Sequence, residues 1–186
     1  MVLKNILSVG AIVITVAVTL SSARAAYVLT ATINVPASPD NSVGGKFSSY
    51  DISYFDPLTQ LDYVADRSNA AVDIFSAVSH AFVGRIGGTS SLFTGQQATT
   101  SISGPDGVQV INLPGQHQVY AGNGNSTLLG FNIGANPTIN TQFTNTNTKG
   151  NFRVDEMSFD PNTNRLLVAN NADGPAFATR AMRKFR

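Results

Sequence analysis

The chain of 186 residues contains no Cys and no Trp, carries 12 basic and 11 acidic residues, and is 42% hydrophobic. Its length and apolar content suit one domain with a sizeable core and exclude a collagen, a coiled coil and a highly charged disordered chain. The absence of Cys excludes disulfides, thiolate zinc sites and a Cys nucleophile. All but one of the acidic residues are Asp, which favours turns because Asp side chains cap nearby backbone amides.

The first 25 residues have the organisation of an export signal. Lys4 precedes an apolar stretch over 6–20, and small residues flank the predicted cleavage point between Ala25 and Ala26. The apolar stretch is shorter than the ~20 residues that a membrane span needs. We therefore predict a signal peptide rather than its alternative, an uncleaved anchor. The cleaved chain would be periplasmic or extracellular and would have no membrane span.

After the signal, the charges divide between an acidic body and a basic end. Residues 180–186 hold four basic side chains, and the preceding part of the cleaved chain is acidic. No basic face of the kind that binds phosphate backbones is apparent in the body, so nucleic-acid binding is not expected. Residues 26–45 are predicted to form a lead-in strand or linker, and 180–186 an out-of-pattern basic tail.

The segment 46–179 repeats itself. The sequence DISYFDP at 51–57 recurs as DEMSFDP at 155–161, and a weaker copy lies between them. A second motif occurs as YVADRSN, VYAGNGN and LVANNAD, and we align its three copies on Ala65, Ala121 and Ala169. The repeats are placed at about 46–100, 101–148 and 149–179.

Each repeat is predicted to form short antiparallel strands separated by turns. The segments are rich in Val, Ile, Tyr and Phe, which favour strands, and Asp-Pro or Asp/Asn clusters between them favour turns. In the first repeat the predicted strands are 52–55, 61–65, 71–75 and 81–86. An outer strand of the second repeat is predicted at 138–143, and the third repeat is expected to end after its second strand. This pattern predicts an all-β fold of blade-like units, each of about fifty residues.

The order of strand, Asp-Pro turn, Val-Ala-Asn strand and polar turn resembles the YVTN-type β-propeller repeat family of exported bacterial proteins. The segments GPDGV at 104–108 and GNFRVDEMSFDP at 150–161 resemble the opening strands of such blades. The resemblance implies a partial β-propeller of about three four-stranded antiparallel blades after the signal peptide. Closed propellers typically have about 4–8 blades. Two interpretations remain: a truncated or frameshifted product, or a short member that self-associates through its open blade edges.

Carboxylates at the start of the repeats are the candidate ligand or metal site. The alignment places Asp51, Asp155 and Glu156 at the start of a first strand. Asp106 lies one position out of this register, and Asn170 lies in a later polar turn. In a propeller the first strands line the central channel, so these side chains would converge at one channel mouth. Such oxygen ligands suit a hard cation such as Ca²⁺, and simple turn formation is the alternative role.

Two classes of function remain open. The first is an exported, non-catalytic β-propeller repeat protein that binds a small ligand or a protein partner on its loop face or at its channel mouth. The second is a metal-dependent propeller hydrolase of the lactonase type, which the resemblance implies would hold its metal with Asp, Glu and Asn. No nucleophile elbow, P-loop or dinucleotide motif occurs, and neither His80 nor His117 has a His partner at metal spacing. The sequence therefore favours the non-catalytic interpretation.

Overall fold

The computed structural model describes residues 28–89, 91–136, 140–173 and 180–184. Over these residues the chain is all-β, and its helical content is limited to short 3-10 helices at Thr100–Ile102 and Asn171–Asp173. Within the same residues, no helix has the length and apolarity needed to cross a membrane. The predicted signal peptide, with its cleavage between Ala25 and Ala26, lies outside the described residues.

The strands form three antiparallel sheets that follow one another along the chain. The first sheet contains, in spatial order, β1 (Tyr50–Asp56), β2 (Leu61–Asp66), β3 (Ala71–Ser76) and β4 (Ala81–Gly87). The second contains β5 (Val108–Leu113), β6 (Gln116–Asn123), β7 (Thr127–Ile133) and β8 (Asn140–Asn147). The third has the spatial order β11-β10-β9, from β9 (Met157–Asp160), β10 (Arg165–Val168) and β11 (Arg180–Lys184).

The same Asp-Pro turn connects the first two strands of the first sheet and the first two strands of the third sheet. The Asp56 carboxylate accepts a hydrogen bond from the amide two residues on at 3.1 Å and from the Thr hydroxyl three residues on at 2.5 Å. Asp160 accepts the equivalent bonds at 2.9 and 2.5 Å. These bonds fold the chain back on itself, so β1 pairs with β2 and β9 with β10.

Two elements differ from the sequence prediction. Arg180–Lys184 forms β11 and pairs with β10, although the sequence placed it in a tail beyond the repeats and ended the third repeat after two strands. The predicted outer strand of the second repeat is β8, which continues to Asn147 rather than ending at 143. Residues 138 and 139 of that prediction lie outside the described part of the chain.

The first and second sheets pack face to face through one hydrophobic cluster. Tyr63, Val72 and Ile74 from the first sheet are fully buried in it. The second sheet contributes Val119 and Phe131, among others. Burial of such side chains stabilises the fold by about 1.5–3 kcal/mol each. The edge strands β1 and β5 are in contact as well.

The opposite face of the second sheet packs against the third. Tyr120 and Leu128 of the second sheet lie in a second cluster with Leu166 and Val168 of the third, and β5 contacts β9. Because side chains alternate along a strand, β5, β6 and β7 of the second sheet each contribute residues to both clusters. The three sheets thus pack in series, and within the described residues they do not close into a ring.

The middle repeat is out of register with the first. Ala65 and Ala121, which the sequence alignment treats as equivalent, both lie in the cluster between the first and second sheets. Ala65 therefore points toward the following sheet and Ala121 toward the preceding one. A shift by an odd number of residues reverses the faces of a strand, so the alignment does not hold for the second repeat.

Candidate functional site

One carboxylate at or just before the first strand of each sheet contributes to a single cluster of charged side chains. Asp51 is in β1, Asp106 lies two residues before β5, and Asp155 lies two residues before β9. Side-chain contacts through two arginines connect all three. We call this region the mouth, and it consists of Asp51, Arg67, Asp106, Arg153, Asp155 and Glu156.

Arg67, in the turn between β2 and β3, links the first sheet to the second. Its Nη2 donates hydrogen bonds to Asp51 Oδ2 and, at 2.5 Å, to Asp106 Oδ1. Its Nε also donates to Asp106 Oδ1, at 2.8 Å. The Arg67 side chain is only 8% exposed and that of Asp106 is 0% exposed. This ion pair is therefore largely shielded from water, which strengthens its electrostatic attraction.

Arg153 extends the contacts to the third sheet. Its Nε donates a hydrogen bond to Asp155 Oδ2 at 2.7 Å and lies 3.7 Å from Asp106 Oδ1. Asn171 Nδ2 donates to the same Asp155 oxygen at 2.7 Å and to Glu156 Oε2 at 3.3 Å. Acidic and basic side chains therefore alternate across the three sheets in the order Asp51, Arg67, Asp106, Arg153, Asp155.

Asp106 is the buried central residue of this series of alternating charges. Burial raises its pKa to about 7, and the charge of Asp155 adds to the rise, while Arg67 and Arg153 oppose it. Its Oδ2 is buried and has no hydrogen-bond partner among the described residues. The protonated form of Asp106 is therefore favoured up to a higher pH than in an ordinary Asp.

Two glycines set the spacing of the backbones beneath the mouth. A Cβ atom at Gly107 would overlap the carbonyl oxygen of Asp155, and one at Gly122 would overlap the carbonyl oxygen of Val154. Gly122 also donates a backbone hydrogen bond to Gly107 at 2.9 Å. Only glycine allows the second and third sheets to approach this closely, and this approach brings Asp106 near Asp155.

Asn170 does not join the charge series. Its Nδ2 donates to Ser126 Oγ at 2.9 Å and to the carbonyl oxygens of Phe152 and Arg153 at 3.3 Å. These bonds tie the segment before β9 to the second sheet. The structure therefore gives this predicted ligand residue a role in holding the backbone in place.

The carboxylates of the mouth do not form a ready ligand set for Ca²⁺. Among the residues that the structure describes, no group of three or more His, Asp or Glu side chains is placed to hold a metal ion. Asp51, Asp106 and Asp155 each contact a guanidinium group. A cation would therefore have to compete with Arg67 and Arg153 for the same oxygens.

Sequence reasoning missed the two arginines. One signal was available: the acidic body contains few basic residues, and two of them lie close to acidic residues of the repeats. Arg67 follows Asp66 in the polar turn, and Arg153 lies two residues before Asp155. Their pairing with carboxylates of other repeats is not encoded in these local positions.

A second concave region lies on the first sheet, on the face turned away from the second sheet. This groove of about 720 Å³ is lined by alternating residues of β1, β2 and β3, and also by Ala31, Ile33 and Val35 of the lead-in segment. Phe55 is half exposed there, at 50%. We call this surface the open face; it includes Ser53, Phe55, Asp62, Val64 and Phe75, and Asp51 of the mouth also lines it.

Comparison of the chain with protein-family models, with curated proteins and with solved structures finds no match. The side chains of the mouth and of the open face are therefore the basis for proposing a function.

Proposed function

We propose that the chain is an exported, non-catalytic repeat protein of the β-propeller type that binds a ligand or a protein partner at its mouth. The observation that carries this proposal is the convergence of one carboxylate from each of the three sheets on two arginines. Successive packing of similar sheets brings together groups that are far apart in the sequence. Sites built in this way are common binding surfaces of repeat proteins.

The state of these side chains favours binding over catalysis. A general base must reach its substrate with a free proton-accepting atom. Asp106 is fully buried, and Asp155, whose side chain is 3% exposed, already accepts bonds from Arg153 and Asn171 at Oδ2. Glu156 is exposed and the Asp51 side chain is 29% exposed. These two carboxylates support electrostatic recognition of a ligand without proton transfer.

The charges of the mouth favour a cationic group on the ligand. Four carboxylates face two guanidinium groups, so the region has a net negative charge. Arg153 is held less tightly than Arg67, because its contact with Asp106 is 3.7 Å long whereas Arg67 approaches to 2.5 Å. An incoming cation would replace Arg153 first. Ca²⁺ is the simplest probe of this chemistry, since it prefers oxygen ligands.

Calorimetric titration with calcium chloride tests the mouth directly. We expect weak binding by the wild-type chain and tighter binding by Arg153→Gln, which removes the competing cation. Glu156→Gln in that background should weaken binding again. His117→Ala is the matched control, because His117 contacts Asp56 outside the mouth, and it should leave the titration unchanged. Identical titrations for the wild type, Arg153→Gln and Glu156→Gln, including no heat from any of them, would contradict a cation-binding mouth.

The hydrolase alternative is tested by lactone hydrolysis followed in a pH-stat with calcium present. We expect no rate above that of buffer for the wild type or for Asp155→Asn. A calcium-dependent rate that Asp155→Asn abolishes would show that the mouth is catalytic.

Export is tested by mass spectrometry of the product made by an exporting bacterial host. The proposal requires an N-terminus at Ala26 in the soluble periplasmic or extracellular fraction. An intact Met1 on a membrane-held product would contradict it.

A further inference from the structure

We propose that the open face of the first sheet binds the third sheet of a second copy of the chain, head to tail. Asp51 of the mouth also lines the groove, but the contact is tested at Asp62, Val64, Arg165 and Leu167, which lie outside the mouth. The proposal rests on the internal repetition of the fold, on an exposed apolar side chain at each surface and on the opposite charges of the two surfaces.

The third sheet indicates what covers a face of this kind. Leu166 and Val168 of β10 correspond to Asp62 and Val64 of β2 in the repeat alignment, through the match of LVANNAD to YVADRSN. Leu166 and Val168 are 0% exposed and pack against the second sheet. Asp62 and Val64 instead line the groove of the open face. Among the described residues, this side of the first sheet therefore has no sheet packed on it, although Ala31, Ile33 and Val35 of the lead-in segment also line the groove.

The other side of the third sheet supplies the complementary surface. Leu167 is 44% exposed, whereas the corresponding Tyr63 is 0% exposed and packs against the sheet that follows it. Because β10 alternates and Leu166 points toward the second sheet, Leu167 and the exposed Arg165 point away from it. Within the described residues, the first and third sheets thus carry the two halves of a sheet-to-sheet contact that occurs twice in the fold.

The charges favour this head-to-tail pairing over pairing of like ends. Asp51 and Asp62 line the open face, whereas the strands of the third sheet contain one Asp and four basic residues. At the surfaces themselves, Asp62 of the open face has a buried oxygen, Oδ1, without a hydrogen-bond partner in the described structure. Arg165 is on the outward side of β10. Opposite charges steer such an association and disfavour the contact of two identical ends.

A contact between two different surfaces is heterologous. A pair of copies then keeps one unused open face and one unused outward third-sheet face, so the assembly grows until it closes or becomes limited by concentration. This property separates the proposal from a symmetric dimer, in which the same surface is used twice.

Sedimentation velocity of the purified chain over a range of concentrations tests the contact. We expect concentration-dependent association of the wild type. Val64→Asp in the open face and Leu167→Asp in β10 should each leave monomers, because a carboxylate would be buried in an apolar contact. Leu58→Asp is the matched control: Leu58 is 73% exposed in the turn between β1 and β2, and its replacement should leave association unchanged. Far-UV circular dichroism identifies any variant that fails to fold.

Mixing the two interface variants gives the sharper result. An equimolar mixture of Val64→Asp and Leu167→Asp should form a dimer and nothing larger, because each variant has the intact surface that the other lacks. Asp62→Arg alone should weaken wild-type association, and the double variant Asp62→Arg with Arg165→Asp should restore it. A wild type that stays monomeric at every concentration overturns the proposal. So does a mixture of folded variants that stays monomeric.

Discussion

Asn112 of the second sheet donates a hydrogen bond from Nδ2 to Asp56 Oδ1 in the first sheet, at 2.8 Å. Asp56 thereby joins two sheets while it also caps its own turn. Its side chain is 0% exposed and lies 3.3 Å from His117 Nε2. Burial raises the pKa of Asp56, but bonds from Thr59, Leu58 and Asn112, with the charge of His117, outweigh burial and hold that pKa below its ordinary value.

Replacing Asp56 by Ala should destabilise the fold more than the same change at Asp160. Asp56→Ala removes the turn bonds and leaves Asn112 without its partner, with an expected loss of about 1–3 kcal/mol in the free energy of unfolding. Asp160→Ala removes equivalent turn bonds at an exposed position and should cost less. Urea unfolding of both variants measures the difference. Equal losses would show that the bond between the sheets contributes no stability.

The ionisation of Asp106 should make stability fall as pH rises toward neutrality. Its pKa is raised to about 7 in the folded chain, whereas an unfolded Asp titrates near 3.9. Between these two values the folded state binds a proton that the unfolded state has released, so the free energy of unfolding decreases with increasing pH. Asp106→Asn should flatten this slope. Asp73, whose pKa burial raises to about 8, contributes a slope of the same sign.

Urea unfolding at several pH values from 4 to 8 measures this effect for the wild type and the variant. Lys149→Gln, a change at an exposed residue of a loop, is the control for a general change in charge. A wild-type stability that rises across this range would refute the raised pKa of Asp106.

Loss of Arg67 should be more damaging than loss of Arg153. Arg67→Gln leaves the buried carboxylate of Asp106 without its closest partner, and removal of one member of a buried ion pair costs about 3–5 kcal/mol. Arg153 is more exposed and farther from Asp106, so Arg153→Gln should cost less. The double variant Arg67→Gln with Asp106→Asn should recover part of the loss, because no buried charge remains. A double-mutant cycle in denaturant measures this coupling. Additive losses would mean that Arg67 and Asp106 do not stabilise each other.

Gly107→Ala should separate the second and third sheets. The new Cβ would overlap the backbone of Asp155, so the sheets must move apart or the strand must distort. Gly115→Ala is the comparison, because its Cβ meets nothing within 4 Å although its φ is +74°; the strain of a left-handed residue costs only about 1–2 kcal/mol. Thermal unfolding of both variants ranks the two effects. A higher melting temperature for Gly107→Ala than for Gly115→Ala would be the opposite of the expected order.

The local elements of this protein can be predicted from its amino-acid sequence. Alternating apolar residues and the Asp56-Pro57 turn predicted the four strands of the first repeat, since strand propensity and Asp capping act over a few residues. The recurrence of DISYFDP as DEMSFDP predicted that Asp51 and Asp155 take related places in two different sheets, which are the first and the third. Periodicity provided no comparable signal at Arg180–Lys184, where β11 pairs with β10 only in the folded chain.

The partners that these elements meet depend on the tertiary structure. Arg67 and Asp106 are separated by 39 residues, and their pairing depends on how two sheets pack, which no pattern within one repeat specifies. The face on which Ala121 lies depends on the register of the second repeat, where a shift by one residue exchanges the two sides of every strand. Three of the carboxylates proposed from sequence as metal ligands, Asp51, Asp106 and Asp155, are therefore paired with arginines, because side-chain charges pair with whatever the packed sheets place within hydrogen-bond distance.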